Sequence, residues 1–391
     1  MKKNLLLTPG PTKLPDEICA ALGRPIIHHR TPQFQDNLKT AFEGLKYVFQ
    51  TQNDICLLTS SGTGGMEASV ANLLSPGDTA ITVESGKFGE RWTEICAAYG
   101  IKTKVIKVKW GFSVKAEDIQ KALNEDKSIK AVFTTLSETS TGTSTDIESI
   151  AKVMKNSNAV LVVDAVSGLG ITDIQTDNWG VDVVVSASHK GLMLPPGLAF
   201  VSVSQKAWKY VETSKLPRYY FDFRACRKAL TSVDTPFTPA IGIVIALNES
   251  LKIFKEFGLQ NMFTKCARLG KGVRAAAKAL GLTPFADESC ISSVLTAVNL
   301  PSSVDGEKLV KRMRDTYGIT VAGGQDVLKG KIVRISHMGC IDEYDILTGI
   351  SCLEKVLQEM GYQFTLGAGV AAAQKVFNPD FAEAKSARRA D

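Results

Sequence analysis

Short apolar segments alternate with helical patterns along the first half of the chain. Most of these segments are almost continuously apolar and lack the polar residue at every second position that a half-exposed strand shows. Such strands are typical of a mainly parallel sheet that is covered by helices on both faces. The sequence therefore predicts an α/β fold whose strands lie at 55–59, 79–83, 102–107, 130–135, 159–164, 181–186 and 198–203. In sheets of this kind, ligands bind at the carboxyl ends of the strands.

Beyond the predicted sheet, the pattern changes to two long helices at about 240–257 and 260–281, and a smaller α+β unit follows. The first residues are irregular and rich in proline and glycine, and the last residues are polar and without periodicity. We therefore expect four parts: an N-terminal segment at 1–35, a large domain at 36–257, a small C-terminal domain at 258–362 and a partly disordered tail at 363–391.

Composition and charge exclude several classes of partner. The net charge of +6 is spread over a mixed surface with no run of five basic residues, so we do not expect nucleic acid binding. No apolar stretch has the roughly 18 residues of a membrane span, and the N-terminal run is too short for a signal peptide. The eight cysteines form no C-x-x-C pair. We therefore expect reduced thiols, no metal site and a cytoplasmic location.

Three candidate functional features follow predicted strands. Asp164 ends the apolar run AVLVVD, and Lys190 comes just after VDVVVS in the segment ASHKG. A glycine-rich turn, SSGTGG at 60–65, joins another strand to a helix and matches neither a Walker nor a Rossmann spacing. Taken singly, each has an ordinary structural reading as a helix cap, a surface lysine or a tight turn.

Together, these three features have the chemistry that pyridoxal 5′-phosphate (PLP) requires at one edge of a sheet. A helix N-terminus that follows glycines can hold the phosphate group. A carboxylate keeps the pyridine nitrogen protonated, and a partly desolvated lysine can bond to the aldehyde and later move the α-proton. The residues therefore predict a PLP enzyme with a Schiff base on Lys190.

Seven sequence blocks, in order along about residues 4–360, carry a specific family resemblance. They are TPGPT at 8–12, SSGTGGMEA at 60–68, ETSTG at 138–142, VDAVSGLG at 163–170, SASHKGLMLPPGLAF at 186–200, TPFTPA at 235–240 and KIVRISHMG at 331–339. In these blocks the chain resembles the class V aminotransferases of PLP fold type I, in the alanine–glyoxylate and serine–pyruvate aminotransferase branch. The resemblance implies a mainly parallel seven-stranded sheet in the large domain and an N-terminal segment that covers the active site.

The resemblance also implies roles for residues that bind the cofactor. Lys190 would form the bond to the PLP aldehyde, and Asp164 would bind the pyridine nitrogen. Thr63, Gly64 and Gly65 would hold the phosphate through backbone and hydroxyl groups.

Further roles are implied around the ring and the substrate. Phe88 would stack on the pyridine ring, where many relatives carry tryptophan, and Thr139 would reach the phenolic oxygen or the phosphate. Thr238 would reach the phosphate of a neighbouring subunit, which implies a homodimer with shared active sites. Arg334 would bind the substrate carboxylate, because its guanidinium can form a two-pronged contact with a carboxylate.

Two positions depart from the resemblance. His189 stands where most of the branch carries glutamine before the lysine, and it would donate a hydrogen bond to the phosphate. A histidine directly before the lysine is also familiar in cysteine desulfurases, but the loop VAGGQDVLKGK before Arg334 has no cysteine to act as nucleophile. Thr235 stands where some relatives carry a tyrosine that reaches the partner's phosphate.

The function implied is amino-group transfer from alanine or serine to glyoxylate or pyruvate. A single evident carboxylate-binding arginine favours monocarboxylate substrates. Aspartate, phosphoserine or aminoethylphosphonate as donor, cysteine desulfuration, a non-catalytic PLP-fold subunit and a nicotinamide-dependent dehydrogenase are the alternatives.

Overall fold

The strands expected from the apolar segments form one seven-stranded sheet in the structure, a computed structural model that describes residues 4–378. In chain order, the strands are β1 (Leu5–Leu6), β2 (Asp54–Leu58), β3 (Thr79–Glu84), β4 (Lys102–Lys107), β5 (Ile129–Thr135), β6 (Ser137–Glu138), β7 (Thr143–Ser144), β8 (Val160–Asp164), β9 (Val183–Ala187), β10 (Ala199–Val203), β11 (Thr283–Pro284), β12 (Leu295–Asn299), β13 (Ile319–Thr320), β14 (Ala322–Gly323) and β15 (Ile332–Ser336). The α-helices are α1 (Asp16–Leu22), α2 (Pro32–Phe49), α3 (Gly62–Leu73), α4 (Lys87–Ala98), α5 (Ala116–Glu125), α6 (Ile147–Met154), α7 (Thr176–Trp179), α8 (Gln205–Thr213), α9 (Phe223–Leu230), α10 (Ile241–Phe257), α11 (Leu259–Ala279), α12 (Gly306–Tyr317), α13 (Glu343–Glu359) and α14 (Ala368–Phe377).

The central sheet is mainly parallel, which confirms the predicted fold class. Its strand order is β2-β10-β9-β8-β5-β3-β4, and β10 alone runs in the direction opposite to that of the other six strands. Strand β8 shows why both faces are apolar, since Leu161 and Val163 pack into one core and Val160 and Val162 into another. Helices α2, α5, α6 and α10 contribute to the first core, and α3, α4, α8 and α9 to the second.

One edge of this sheet brings the predicted site together. Strands β8 and β9 are parallel neighbours, and Asp164 at the end of β8 is in register with Val185 of β9. Strand β2 runs in the same direction as β9, because both are antiparallel to β10. The start of α3, Asp164 and Lys190 therefore follow the carboxyl ends of three strands that point the same way.

The C-terminal unit has its own core around an antiparallel sheet with the order β11-β12-β15-β14. Helix α14 lies in the region that the sequence assigned to the tail. It is ordered because Phe377, 5% exposed, packs so closely on α11 that a Cβ at Gly272 would lie 2.3 Å from its ring. The disorder predicted for the end of the tail lies outside the described residues.

The N-terminal segment is more regular than the sequence predicted. Helix α1 forms within it because Ile18 and Ala21 are buried in the first core of the large unit. Strand β1 pairs in parallel with β13 of the C-terminal unit, where the Leu5 N–H donates to the Gly318 carbonyl at 3.0 Å. No helix among residues 4–378 combines the length and the apolar character that crossing a membrane requires.

Candidate active site

Lys190 lies shortly after β9, at the edge of the sheet where the sequence predicted it, and is 8% exposed. Its Nζ donates a hydrogen bond to the Pro9 carbonyl at 2.5 Å, and the Thr12 hydroxyl donates to the Lys190 carbonyl at 3.0 Å. A Cβ at Gly10, where φ is +133°, would lie 2.4 Å from Nζ. The N-terminal segment therefore contacts the amine directly, and only glycine fits at position 10.

The surroundings of Lys190 favour its neutral form. Burial lowers the pKa of the Lys190 ammonium from 10.5 to about 8, the positive charges of Arg334 and Arg91 act in the same direction, and Asp164 opposes them. A larger fraction of the amine is therefore neutral near neutral pH than for a surface lysine. A neutral amine can attack an aldehyde and can accept a proton from carbon.

Asp164, 4% exposed, ends β8, and its Oδ1 accepts a hydrogen bond from the Val166 N–H at 2.8 Å. Burial raises the pKa of the Asp164 carboxyl from 3.8 to about 6. The Val166 N–H, Arg91 and Lys190 oppose this shift, and the charge of Glu138 adds to it. A cationic ring nitrogen placed beside this carboxylate would reverse the shift, so the site is suited to a protonated pyridine.

The glycine-rich turn leads into α3, whose N-cap residue Ser61 makes no side-chain capping bond. The Gly64 N–H donates to the Ser61 carbonyl at 3.0 Å, and the start of the helix forms a positive end that favours anions. The glycines also have a packing reason that the sequence did not show. A Cβ at Gly64 would lie 1.9 Å from Ser60 Oγ, and one at Gly65 would lie 2.8 Å from a methyl group of Val185.

Helix α4 presents Phe88 to the site. The centroid of its ring is 5.9 Å from Lys190 Nζ, and the guanidinium carbon of Arg91 lies 4.9 Å from the same centroid. The buried Glu138 carboxylate accepts hydrogen bonds from the N–H groups of Phe88 at 3.0 Å and Gly89 at 2.9 Å. Sequence reasoning missed Arg91 and Glu138, although Arg91 is three residues from Phe88 and so shares its helix face.

Two predicted cofactor contacts have buried polar atoms without a partner in the described chain, Thr139 Oγ1 and His189 Nδ1. Burial, with a smaller contribution from the Lys190 charge, lowers the pKa of His189 to about 4, so its ring is neutral at neutral pH. Buried polar atoms are normally hydrogen-bonded, and exceptions often mark a place for a ligand.

Arg334, 6% exposed, lies in β15. Its Nε donates to the Gly323 carbonyl at 2.7 Å, and its Nη1 donates to the Thr139 carbonyl at 2.7 Å. Burial lowers the pKa of Arg334 to about 10, with Glu138 opposing, so the guanidinium remains charged at neutral pH. The two carbonyls orient the guanidinium and leave Nη2 for an anionic ligand.

Thr238 is exposed and lies beside an aromatic group in which Tyr220 stacks on Phe237, with ring centroids 5.0 Å apart. Tyr219 of this group is 80% exposed. The Thr235 hydroxyl, in contrast, is buried and donates to the Phe237 carbonyl at 2.8 Å. Within this subunit, Thr238 is therefore not part of the cavity at Lys190.

One cavity is lined by half of the predicted residues, namely Thr63, Phe88, Asp164, His189 and Lys190, and also by Arg91. Gly64, Gly65, Thr139, Arg334 and Thr238 do not line it. These residues fit PLP: an acid for the ring nitrogen, an amine for the aldehyde, an aromatic face, and a helix N-terminus for the phosphate. The unpartnered atoms of Thr139 and His189 are consistent with the same ligand.

Comparison with known proteins places this arrangement in a family. The model of the family described as aminotransferase class-V matches residues 13–345. A protein named soluble hydrogenase, small subunit, from Synechococcus sp. is 44% identical over 96% of this chain and 99% of its own length. An L-aspartate–glyoxylate aminotransferase from Paracoccus denitrificans is 37% identical over 98% of both chains, and a serine–glyoxylate aminotransferase from Hyphomicrobium methylovorum is 35% identical over 98% of this chain and 96% of its own. The crystal structure of ureidoglycine–glyoxylate aminotransferase from Bacillus subtilis superposes with a TM-score of 0.93 at 27% identity, covering 97% of this chain and 99% of that one.

Proposed function

Since the chain belongs to the class-V aminotransferase family, whose transaminases depend on PLP, we propose that it moves an amino group from alanine or serine to glyoxylate or pyruvate. The observation that carries the proposal is the buried pair of Lys190 and Asp164 in one cavity, each with its pKa shifted toward the neutral form. Glyoxylate as acceptor is supported by three relatives that are named for glyoxylate with three different donors, aspartate, serine and ureidoglycine.

The chain's own residues have distinct tasks in this reaction. PLP supplies an aldehyde that takes up the amino group and a ring that delocalises the electrons released at the α-carbon. Lys190 Nζ would hold the aldehyde of the cofactor and would act as the base that moves the α-proton of the substrate. Asp164 would keep a proton on the pyridine nitrogen, and Phe88 would pack against the ring. Pro9 and Gly10 shield the amine from water.

Substrate binding falls to Arg334 in this proposal. Its guanidinium is held by the Gly323 and Thr139 carbonyls, so its orientation is set before a carboxylate arrives. The second arginine near the ring, Arg91, bonds to Thr63 at the start of α3. We assign Arg334 alone to substrate carboxylates, which favours alanine or serine over aspartate. The 37% identity to an L-aspartate–glyoxylate aminotransferase makes aspartate the second candidate donor.

We further propose that the enzyme is a homodimer in which Thr238 reaches the PLP phosphate of the partner subunit. The exposed aromatic group of Tyr219, Tyr220 and Phe237 beside Thr238 supports this, because contiguous exposed aromatic side chains are typical of interfaces.

We also propose a large domain at 36–257 and a small one at 258–362. All eight cysteines are free, which supports a reducing compartment such as the cytoplasm.

A half-reaction screen tests the proposed donor. Purified protein loaded with PLP is mixed with alanine, serine, aspartate or phosphoserine, and the loss of the cofactor's visible absorbance is followed. Alanine or serine should react fastest, and Lys190→Ala should show no conversion with any donor. Fastest conversion by aspartate would replace the proposed donor, and no conversion by any amino acid would contradict transamination.

A further inference from the structure

Arg91 forms no salt bridge with any residue of 4–378, although its positive charge acts on the Asp164 carboxylate in the same cavity. Its residue is only partly exposed, and it lines the same cavity as Lys190 and Asp164. Its one side-chain hydrogen bond joins Nη1 to Thr63 Oγ1 at 3.3 Å. No carboxylate oxygen of residues 4–378 lies within 4.0 Å of its guanidinium as a salt bridge.

Comparison with similar arginines of the same chain shows that this is unusual. Four described arginines lie over an aromatic ring, and Arg91 over Phe88 is one of them. The other three also form an ion pair: Arg227 with Asp54 at 3.3 Å, Arg268 with Glu343 at 3.2 Å and Arg312 with Glu359 at 2.8 Å. Lys87, on the same helix as Arg91, is likewise paired, with Glu90 and Asp326. An unpaired arginine at a ligand cavity indicates that the ligand supplies the anion.

The position of Arg91 decides which anionic group that is. Thr63, its hydrogen-bond partner, is the second residue of α3, at the helix end where an anion is favoured. A phosphate monoester carries a charge between −1.5 and −2 at neutral pH, whereas a helix N-terminus offers about half a positive charge. The helix alone is insufficient to balance the phosphate. Arg334, which we assign to the substrate carboxylate, does not line this cavity.

We propose that Arg91 binds the phosphate group of the cofactor, together with Thr63 and the N-terminus of α3. Arg91 thereby holds the cofactor while its guanidinium also packs on Phe88, the residue that faces the ring. This inference rests on the proposed PLP site and assigns a cationic contact to it that the sequence did not reveal. It also explains why the cavity contains an arginine that is not needed for a monocarboxylate substrate.

The test compares two cofactor forms that differ only in the phosphate. Dissociation constants of PLP and of pyridoxal are measured by absorbance titration of the cofactor-free protein, for the wild type and for Arg91→Met, Arg91→Lys and Lys87→Met. Arg91→Met loses a charge-assisted hydrogen bond, so its dissociation constant for PLP should rise about 10- to 100-fold above that of the wild type. Its dissociation constant for pyridoxal should change less than about threefold. Arg91→Lys should lie between, since it retains the charge but loses the planar fork. Lys87→Met removes one charge from the same helix outside the cavity and should leave both constants unchanged.

The outcomes separate this inference from the cofactor site itself. Equal weakening of PLP and pyridoxal by Arg91→Met would show that Arg91 acts on the ring through Phe88, and would overturn the phosphate assignment. Unchanged binding of both would overturn it as well. Wild-type protein that binds PLP no better than pyridoxal would contradict the whole cofactor site. A melting temperature for each variant confirms that it is folded.

Discussion

Asp164→Asn should stabilise the cofactor-free protein and inactivate the loaded enzyme. In the absence of the cofactor, burial of the Asp164 carboxylate is unfavourable and raises its pKa from 3.8 to about 6. Each pKa unit is worth about 1.4 kcal/mol, so the ionised carboxylate costs the folded state at most about 3 kcal/mol at neutral pH. In the wild type, the Val166 N–H donates to Asp164 Oδ1 at 2.8 Å. Asparagine removes the charge and retains an oxygen that can accept this hydrogen bond.

The sign of the pH dependence follows from the raised pKa. Above about pH 6 the carboxylate is ionised in both folded and unfolded chains, and the full cost is present. Between about pH 6 and 3.8 the folded chain binds a proton that the unfolded chain does not, so the cost decreases as the pH falls. The advantage of Asp164→Asn should therefore decrease from about 3 kcal/mol at pH 8 to about 1 kcal/mol at pH 4.5.

Urea unfolding of the cofactor-free wild type and variant at both pH values measures this advantage. Asp182→Asn is a matched control, because Asp182 is 6% exposed but accepts hydrogen bonds from the Leu161 N–H at 2.9 Å and from Lys206 at 3.3 Å. It should lose about 1–3 kcal/mol of stability. With PLP bound, Asp164→Asn should slow the half-reaction at least about 100-fold. A variant that is less stable than the wild type at pH 8, or equally affected at both pH values, would refute the reasoning.

Two further substitutions probe the groups around the ring and the substrate. Glu138→Ala leaves the Phe88 and Gly89 N–H groups without their acceptor, so it should lower the free energy of unfolding by about 2–4 kcal/mol in urea titrations. A change below about 0.5 kcal/mol would show that Glu138 does not stabilise the start of α4. Arg334→Lys loses the planar guanidinium that the Gly323 and Thr139 carbonyls orient. KM for the amino donor should therefore rise about 10- to 100-fold, with a smaller effect on kcat. An unchanged KM would show that the substrate carboxylate binds elsewhere.

The sequence predicted the sheet and the two reacting groups because both follow from local pattern. A short, valine-rich apolar run such as AVLVVD is typical of a strand buried on both faces, and a polar residue at its end then lies at the sheet edge. The same reasoning located Lys190 after β9.

Other features could not be predicted because they depend on contacts between distant segments. Arg91 in isolation resembles any surface arginine of an amphipathic helix, and its lack of a salt bridge with residues 4–378 is visible only when the fold is known. Glu138 was part of a recognised motif, yet its role as an acceptor for α4 depends on a contact across about fifty residues. Helix α14 forms because Phe377 packs on α11, which no local periodicity indicated.

The direct test of the PLP site is to identify the lysine that carries the cofactor. Protein purified with PLP is reduced with borohydride, which fixes the bond between the lysine amine and the cofactor aldehyde, and the digested peptides are then analysed by mass spectrometry. The buried amine with its pKa near 8 predicts one modified position, Lys190, and no label in Lys190→Ala. A label on another lysine, or a protein that remains unlabelled in the presence of PLP, would contradict the account.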